Sequence, residues 1–201
     1  LLSGEKIIIG NNGFFGDHLV DIAVNNGLQV IEVKGEWGRP LDPQAIIEAL
    51  REHPDAKAVA VVHGETSTSI LNPIAEIGEI VKPANAVFIV DAVSSLGGLP
   101  YDVAGWHVDL CASATQKCLG APPGLAPVAI SQKAWRMIDR SDRKAHGWYT
   151  NVQNWRKYAQ EWGDWHPTPI TMPTNTVNAL LVSLELLMQE GIANRMERFR
   201  S

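Results

Sequence analysis

The chain has 201 residues, 45% hydrophobic and 19% charged, with a formal net charge of -5. That balance suits one globular core, and the acidic surplus argues against the basic face of a nucleic-acid binder. No apolar run approaches the roughly 18 residues that a membrane helix needs. The opening Leu1-Leu2-Ser3-Gly4-Glu5-Lys6 has too short an apolar stretch for a signal peptide, and it carries no initiator methionine. The chain is therefore expected to be a trimmed or truncated piece. Its two cysteines, Cys111 and Cys118, make no disulfide framework, and no His/Cys spacing suggests zinc. Both are expected to be reduced, in the cytosol or in an organelle whose targeting peptide is missing here.

In chain order, the first strand is expected at 6–9, followed by a helix at 15–26 that stops at Gly27. A strand at 29–33 leads to a helix at 43–52. There Asp42 is the N-cap, Pro43 occupies the first helical position, and Leu41 and Ile46 form a hydrophobic staple. Strands follow at 58–62 and 86–90, with a helix at 74–81 between them. Further strands are read at 108–112 and 125–130, and a helix at 132–139. The strands are apolar at consecutive positions, as strands buried on both faces should be. Strand–helix alternation predicts a mostly parallel α/β sheet flanked by helices. After Ser141 the character changes. Residues 142–170 are aromatic and polar, with Trp148, Trp155, Trp162 and Trp165, and show no strand pattern. A last helix is predicted at 175–190, from Val177, Leu180, Leu181, Leu184, Leu187 and Met188 at helical spacing, capped by Gly191. One domain is expected.

In an open parallel sheet, ligands bind beyond the carboxyl ends of the strands. Four marked segments fall there. Asn11-Asn12-Gly13-Phe14-Phe15-Gly16 follows the first strand, and His63-Gly64-Glu65-Thr66-Ser67-Thr68 the third. Asp91-Ala92-Val93-Ser94-Ser95 follows the fourth, and Thr115-Gln116-Lys117 the fifth. A lysine on one strand-end turn and an aspartate closing another suit pyridoxal phosphate, the lysine as Schiff-base amine and the aspartate as partner of the pyridinium nitrogen. A unit-charge pair at 4 Å is worth about 4 kcal/mol at an effective dielectric of 20. Lys117 would also shuttle the proton between substrate Cα and cofactor. Thr66 is a candidate donor to the phenolic oxygen, Phe15 for ring stacking, and Gln116 for phosphate. Each residue alone reads more blandly: a loop lysine as a solvated charge, an aspartate after a strand as a turn residue, His63 as a satisfied polar group, the tryptophans as packing. The ordered combination carries the chemistry.

That combination resembles the class V aminotransferases of pyridoxal phosphate fold-type I, on the alanine–glyoxylate and serine–pyruvate branch. The matching text is His63 to Thr68, Asp91 to Gly98, Gln116-Lys117 through Ala121-Pro122-Pro123-Gly124, Asn12 to Gly16, and His166-Pro167-Thr168. The resemblance implies the large domain of an aspartate aminotransferase-like enzyme. It implies a Schiff base at Lys117, pyridinium pairing at Asp91, an O3′ contact at Thr66, stacking at Phe15 and a phosphate-side role for Gln116. It further implies that Thr168, and less strongly Trp165, reach the cofactor phosphate of a partner subunit in a homodimer. Residues 1–201 would be the central part of that large domain, without its N-terminal phosphate turn or the C-terminal small domain that carries the substrate-carboxylate arginine. The implied reaction moves the amino group of alanine or serine to glyoxylate or pyruvate. The departures from the family pattern are Ser69, where glycine is frequent, Phe15 for tryptophan and Trp165 for tyrosine. Alternatives are a cysteine desulfurase or lyase of the same fold, or an inactive binding module. Gln116 and Phe15 stand where desulfurases carry histidines, and no Gly-x-Gly-x-x-Gly or Walker-type loop occurs.

Overall fold

The computed structural model describes residues 1–140 and 147–200, so the change of character read at Ser141 begins outside the described residues. In chain order the elements are β1 (Lys6–Asn11), α1 (Phe14–Asn25), β2 (Gln29–Lys34), α2 (Pro43–Glu52), β3 (Ala58–Val62), β4 (Gly64–Glu65), β5 (Ile70–Leu71), α3 (Ile74–Val81), β6 (Val87–Asp91), β7 (Leu110–Ala112), β8 (Val128–Ile130), α4 (Gln132–Asp139), α5 (Val152–Glu161), α6 (Thr174–Glu190) and α7 (Ile192–Arg198). The main sheet runs β2-β1-β3-β6-β7-β8, parallel throughout except for β8.

Alternation along each strand divides the core between the two sheet faces. Ile8, Val59, Val61, Phe88 and Val90 pack with Ile46 of α2 and with Ile74, Ile77 and Val81 of α3. Ile7, Ile9, Ala58, Ala60 and Val87 face the other way, with Ala23 of α1 and Ala134 of α4. The chain leaves β1 for β2 on one side and returns to β3 on the other, with α1 and α2 on opposite faces. Right-handed crossovers require that arrangement, and it opens a crevice at the carboxyl ends of β1 and β3. Gly78 lets α3 press close: a Cβ there would stand 1.9 Å from the Trp106 carbonyl oxygen.

Local chemistry sets the boundaries of α2. The Asp42 carboxylate accepts the Gln44 amide at 2.9 Å, and the staple residues Leu41 and Ile46 are both buried. Several expectations need correction. β1 extends to Asn11, and β6 covers 87–91 rather than 86–90. β7 starts only at Leu110. β8 starts at Val128, because Pro127 has no amide for the ladder, and it returns antiparallel to β7. The β4–β5 hairpin, α5 and α7 appear where none was read. No residue of helix α5 is buried, and Asn151 starts it by accepting the Gln153 amide. Helix α6 has the expected spacing, yet only its Leu187 is buried. Val177, Leu181, Leu184 and Met188 lie exposed, because no sheet or helix face among the described residues covers them.

Candidate functional site

Asp91 ends β6 in register with Val62 of β3 and Ala112 of β7, so the loops after these three parallel strands emerge side by side at one edge. The Asp91 carboxylate is half-buried and accepts the Val93 amide at 2.8 Å. Burial holds its pKa above the ordinary carboxylate range. The Val93 N–H opposes that shift, the charge of Glu65 adds to it, and His18 opposes it. No lysine or arginine pairs with Asp91 among the described residues. His63, one residue past β3, is 2% exposed, and its Nδ1 lies 2.9 Å from Ser95 Oγ. The Tyr101 and Trp106 rings flank it, and burial lowers its pKa to about 4. It is a neutral, satisfied core residue near neutral pH.

Helix α1 starts at the carboxyl end of β1 with Gly13 before it, a residue with no capping side chain. Glu65 supplies the cap from across the crevice. Its fully buried carboxylate accepts the amides of Phe15 and Gly16 at 3.1 Å through Oε2, and the Ser67 amide at 3.0 Å and hydroxyl at 2.6 Å through Oε1. Ser67 Oγ takes the Phe14 amide at 3.0 Å. A negative group at a helix N-terminus is favourable. Only glycine fits at position 13, since a Cβ would come within 2.4 Å of the Glu65 side chain. This one carboxylate thus joins the Phe15 loop to the Thr66 loop. The motif containing Glu65 is visible in the sequence. Its role is not, because its partners lie about 50 residues away.

Lys117 lies five residues past β7 in a turn closed by the Gly120 amide donating to the Lys117 carbonyl at 2.9 Å. Thr115 anchors that turn, its buried hydroxyl donating to the Pro122 carbonyl at 2.6 Å. Cys118 Sγ donates to the Ser94 carbonyl at 3.2 Å, which links the turn to the loop after Asp91. Burial raises the Cys118 thiol pKa, against the pull of Arg195 and Lys117. Lys117 and Gln116 are exposed and make no ion pair among the described residues.

The structure thus brings Asp91 at the end of β6, Phe15 in the first turn of α1, and Thr66, Gln116 and Lys117 on loops to one sheet edge. Phe15 is half-buried against Phe14, and Thr66 is exposed. Thr68, beside it, has a buried hydroxyl without a hydrogen-bond partner among the described residues. Trp165 and Thr168 behave differently. Trp165 is 76% exposed and stacks on Trp162 at 6.0 Å, and Thr168 donates to the Ile170 carbonyl at 2.8 Å. Their contacts are local to the segment between α5 and α6.

Comparison with known proteins gives the family. Residues 1–197 match the family Aminotransferase class-V. An uncharacterized aminotransferase of Methanocaldococcus jannaschii is 44% identical over 195 residues, covering 97% of this chain and 50% of that protein. Alanine–glyoxylate aminotransferase of Nostoc sp. superimposes with a TM-score of 0.92 at 35% identity, over 98% of this chain and 52% of that one. Ureidoglycine–glyoxylate aminotransferase of Bacillus subtilis gives 0.90 at 34% identity, over 98% and 50%. The chain spans about half the length of the curated relatives it matches. With the family match running almost end to end and the doubly wound sheet shared with these structures, the chain belongs to the class V aminotransferases.

Proposed function

We propose that this chain is the central part of the cofactor-binding large domain of an aminotransferase that uses pyridoxal phosphate, as class V aminotransferases do. The observation that carries this reading is the emergence of the Asp91 and Lys117 loops from adjacent parallel strands, at one edge. The residues present suit the cofactor. Asp91 is a half-buried acid without a basic partner among the described residues, so a pyridinium N–H would offset the cost of its buried charge. The unpartnered Thr68 hydroxyl marks polar capacity left over beside Thr66. When bound, the cofactor supplies an electron sink conjugated to the substrate's α-carbon.

In this reading Lys117 Nζ would hold the cofactor at its aldehyde carbon and, once freed by the substrate amine, would carry the proton released at the substrate Cα. Asp91 keeps the ring nitrogen protonated. Phe15 covers one ring face, Thr66 donates to the phenolic oxygen, and Gln116 serves the phosphate side. Thr168 and Trp165 complete the phosphate site of a second subunit, so the enzyme is a homodimer. Their local contacts within this chain leave them available for that role. A small amino acid, alanine or serine, donates its amino group in the first half-reaction. Glyoxylate or pyruvate accepts it in the second.

The test is the absorbance of the full-length protein with pyridoxal phosphate, paired with amino transfer from alanine or serine to glyoxylate. A cofactor band near the edge of the visible range should appear and be lost in Lys117→Ala together with transfer. A band that survives Lys117→Ala would overturn the assignment. Sulfide release from cysteine in place of transfer would point to a desulfurase.

A further inference from the structure

The geometry points to Arg195 as a positioning residue that sets where Lys117 stands relative to Asp91. The inference rests on the function proposed above. Arg195 lies on α7, 78 residues after Lys117, yet the residue is only 9% exposed. Nε donates to the Gly97 carbonyl at 3.0 Å, and one terminal nitrogen donates to the Cys118 carbonyl at 2.5 Å. Gly97 lies in the loop that follows Asp91, and Cys118 directly follows Lys117. One planar cation therefore bridges the two loops that carry the candidate cofactor groups. The fork geometry of arginine permits such a bridge, whereas the single ammonium of lysine does not reproduce it.

The surrounding contacts keep the guanidinium in place. The other terminal nitrogen bonds Glu190 Oε2 at 3.1 Å, and the group lies over the Phe199 ring, 5.5 Å from its centroid. Ser183 of α6 donates to the Leu119 carbonyl at 2.6 Å, so the carbonyls of two consecutive residues after Lys117 are held from the α6–α7 pair. These carbonyls would otherwise be left without donors at the edge of a half-buried turn. Gly120 completes the fit. It adopts a left-handed φ of +74°, and a Cβ there would meet Ser183 Oγ at 3.3 Å and the Arg195 guanidinium at 3.4 Å. Arg195 acts through the Cys118 carbonyl and touches no reacting atom.

The test compares Arg195→Lys and Arg195→Gln with an Arg200→Gln control, which loses only an exposed pair with Glu197, all in the full-length protein. In the cofactor-free form, hydrogen exchange at the Gly120 and Ala121 amides, which close the Lys117 turn, should accelerate in both Arg195 variants and not in the control. In the loaded form, kcat should fall by about 10- to 100-fold with little change in KM, as expected when a reacting group is displaced from afar. The pH midpoint of the cofactor absorbance should also move by more than about half a unit as the Lys117 environment changes. Arg195→Lys should leave the protein folded and recover only part of kcat. Unchanged exchange, kcat and pH midpoint in a folded Arg195→Lys or Arg195→Gln would overturn the inference, leaving Arg195 as a brace for α7. Loss of the absorbance band from the unmutated protein would instead refute the proposed function, and the exchange measurement would still decide whether Arg195 holds the turn.

Discussion

Residues 1–140 and residues 147–200 spend their apolar side chains in opposite ways. The first region buries Ile8, Ile9, Val59, Val61, Phe88 and Val90 almost completely between helices on both sheet faces. The second buries Leu187 but leaves Leu181, Leu186 and Met188 of α6 and Trp148 and Trp165 largely exposed. A sheet needs only its own crossover helices to bury strands on both faces, so the first region is complete in itself. The second is attached to it by polar handles: Ser183, Arg195 and the Arg156–Asp139 pair. Removing apolar atoms should therefore cost much in one region and little in the other.

The largest effect is expected for Phe88→Ala, at the centre of β6, which should lower stability by about 3–5 kcal/mol in chemical denaturation. A cost below that of an exposed substitution would break the comparison outright. Next comes pH. His63 titrates lower in the folded state than in the unfolded chain, from 6.5 to about 4. The unfolded chain therefore takes up the proton first, and stability is lost as pH falls from about 6.5 toward 4, by no more than about 3 kcal/mol. His63→Gln should flatten that window in denaturation midpoints measured from pH 7 to 4. The α6–α7 corner responds later. Hydrogen bonding from Arg198 holds the Glu190 carboxyl below its usual value, so what it contributes is lost as pH falls from the ordinary carboxylate value through the lowered one. The smallest effect is expected for Met188→Ser, a residue 71% exposed, with a change within about 0.5 kcal/mol in this chain. A larger loss in the full-length protein than in this chain would show that the rest of the enzyme covers α6.

Where a signal was local, it could be read. The spans of α2, α3, α4 and β3 match the expectation residue for residue, because a cap such as Asp42 or a run such as Ala58 to Val62 acts within a few positions. The position of Asp91 and Lys117 at one edge was legible because β6 and β7 run parallel and their carboxyl ends point the same way. Helix α5 was not read, although Val152, Trp155, Tyr158 and Trp162 fall on one helical face, since the polar residues between them keep the segment from reading as an apolar run. The antiparallel return of β8 and the β4–β5 hairpin depend on pairing with distant strands or on a turn at Ser69, whose φ is +56°.

Composition and patterning thus determined the α/β class and the parallel sheet, and strand-end position put Asp91 and Lys117 at one edge. Tertiary structure alone decided that Glu65 caps α1 and that Arg195 links the loops of Gly97 and Cys118. It also decided that α6 presents its apolar side outward. The physical reason is range. Hydrophobic periodicity and capping act over a turn or two of chain, whereas a buried charge is defined by whichever polar groups the fold brings to it from tens of residues away.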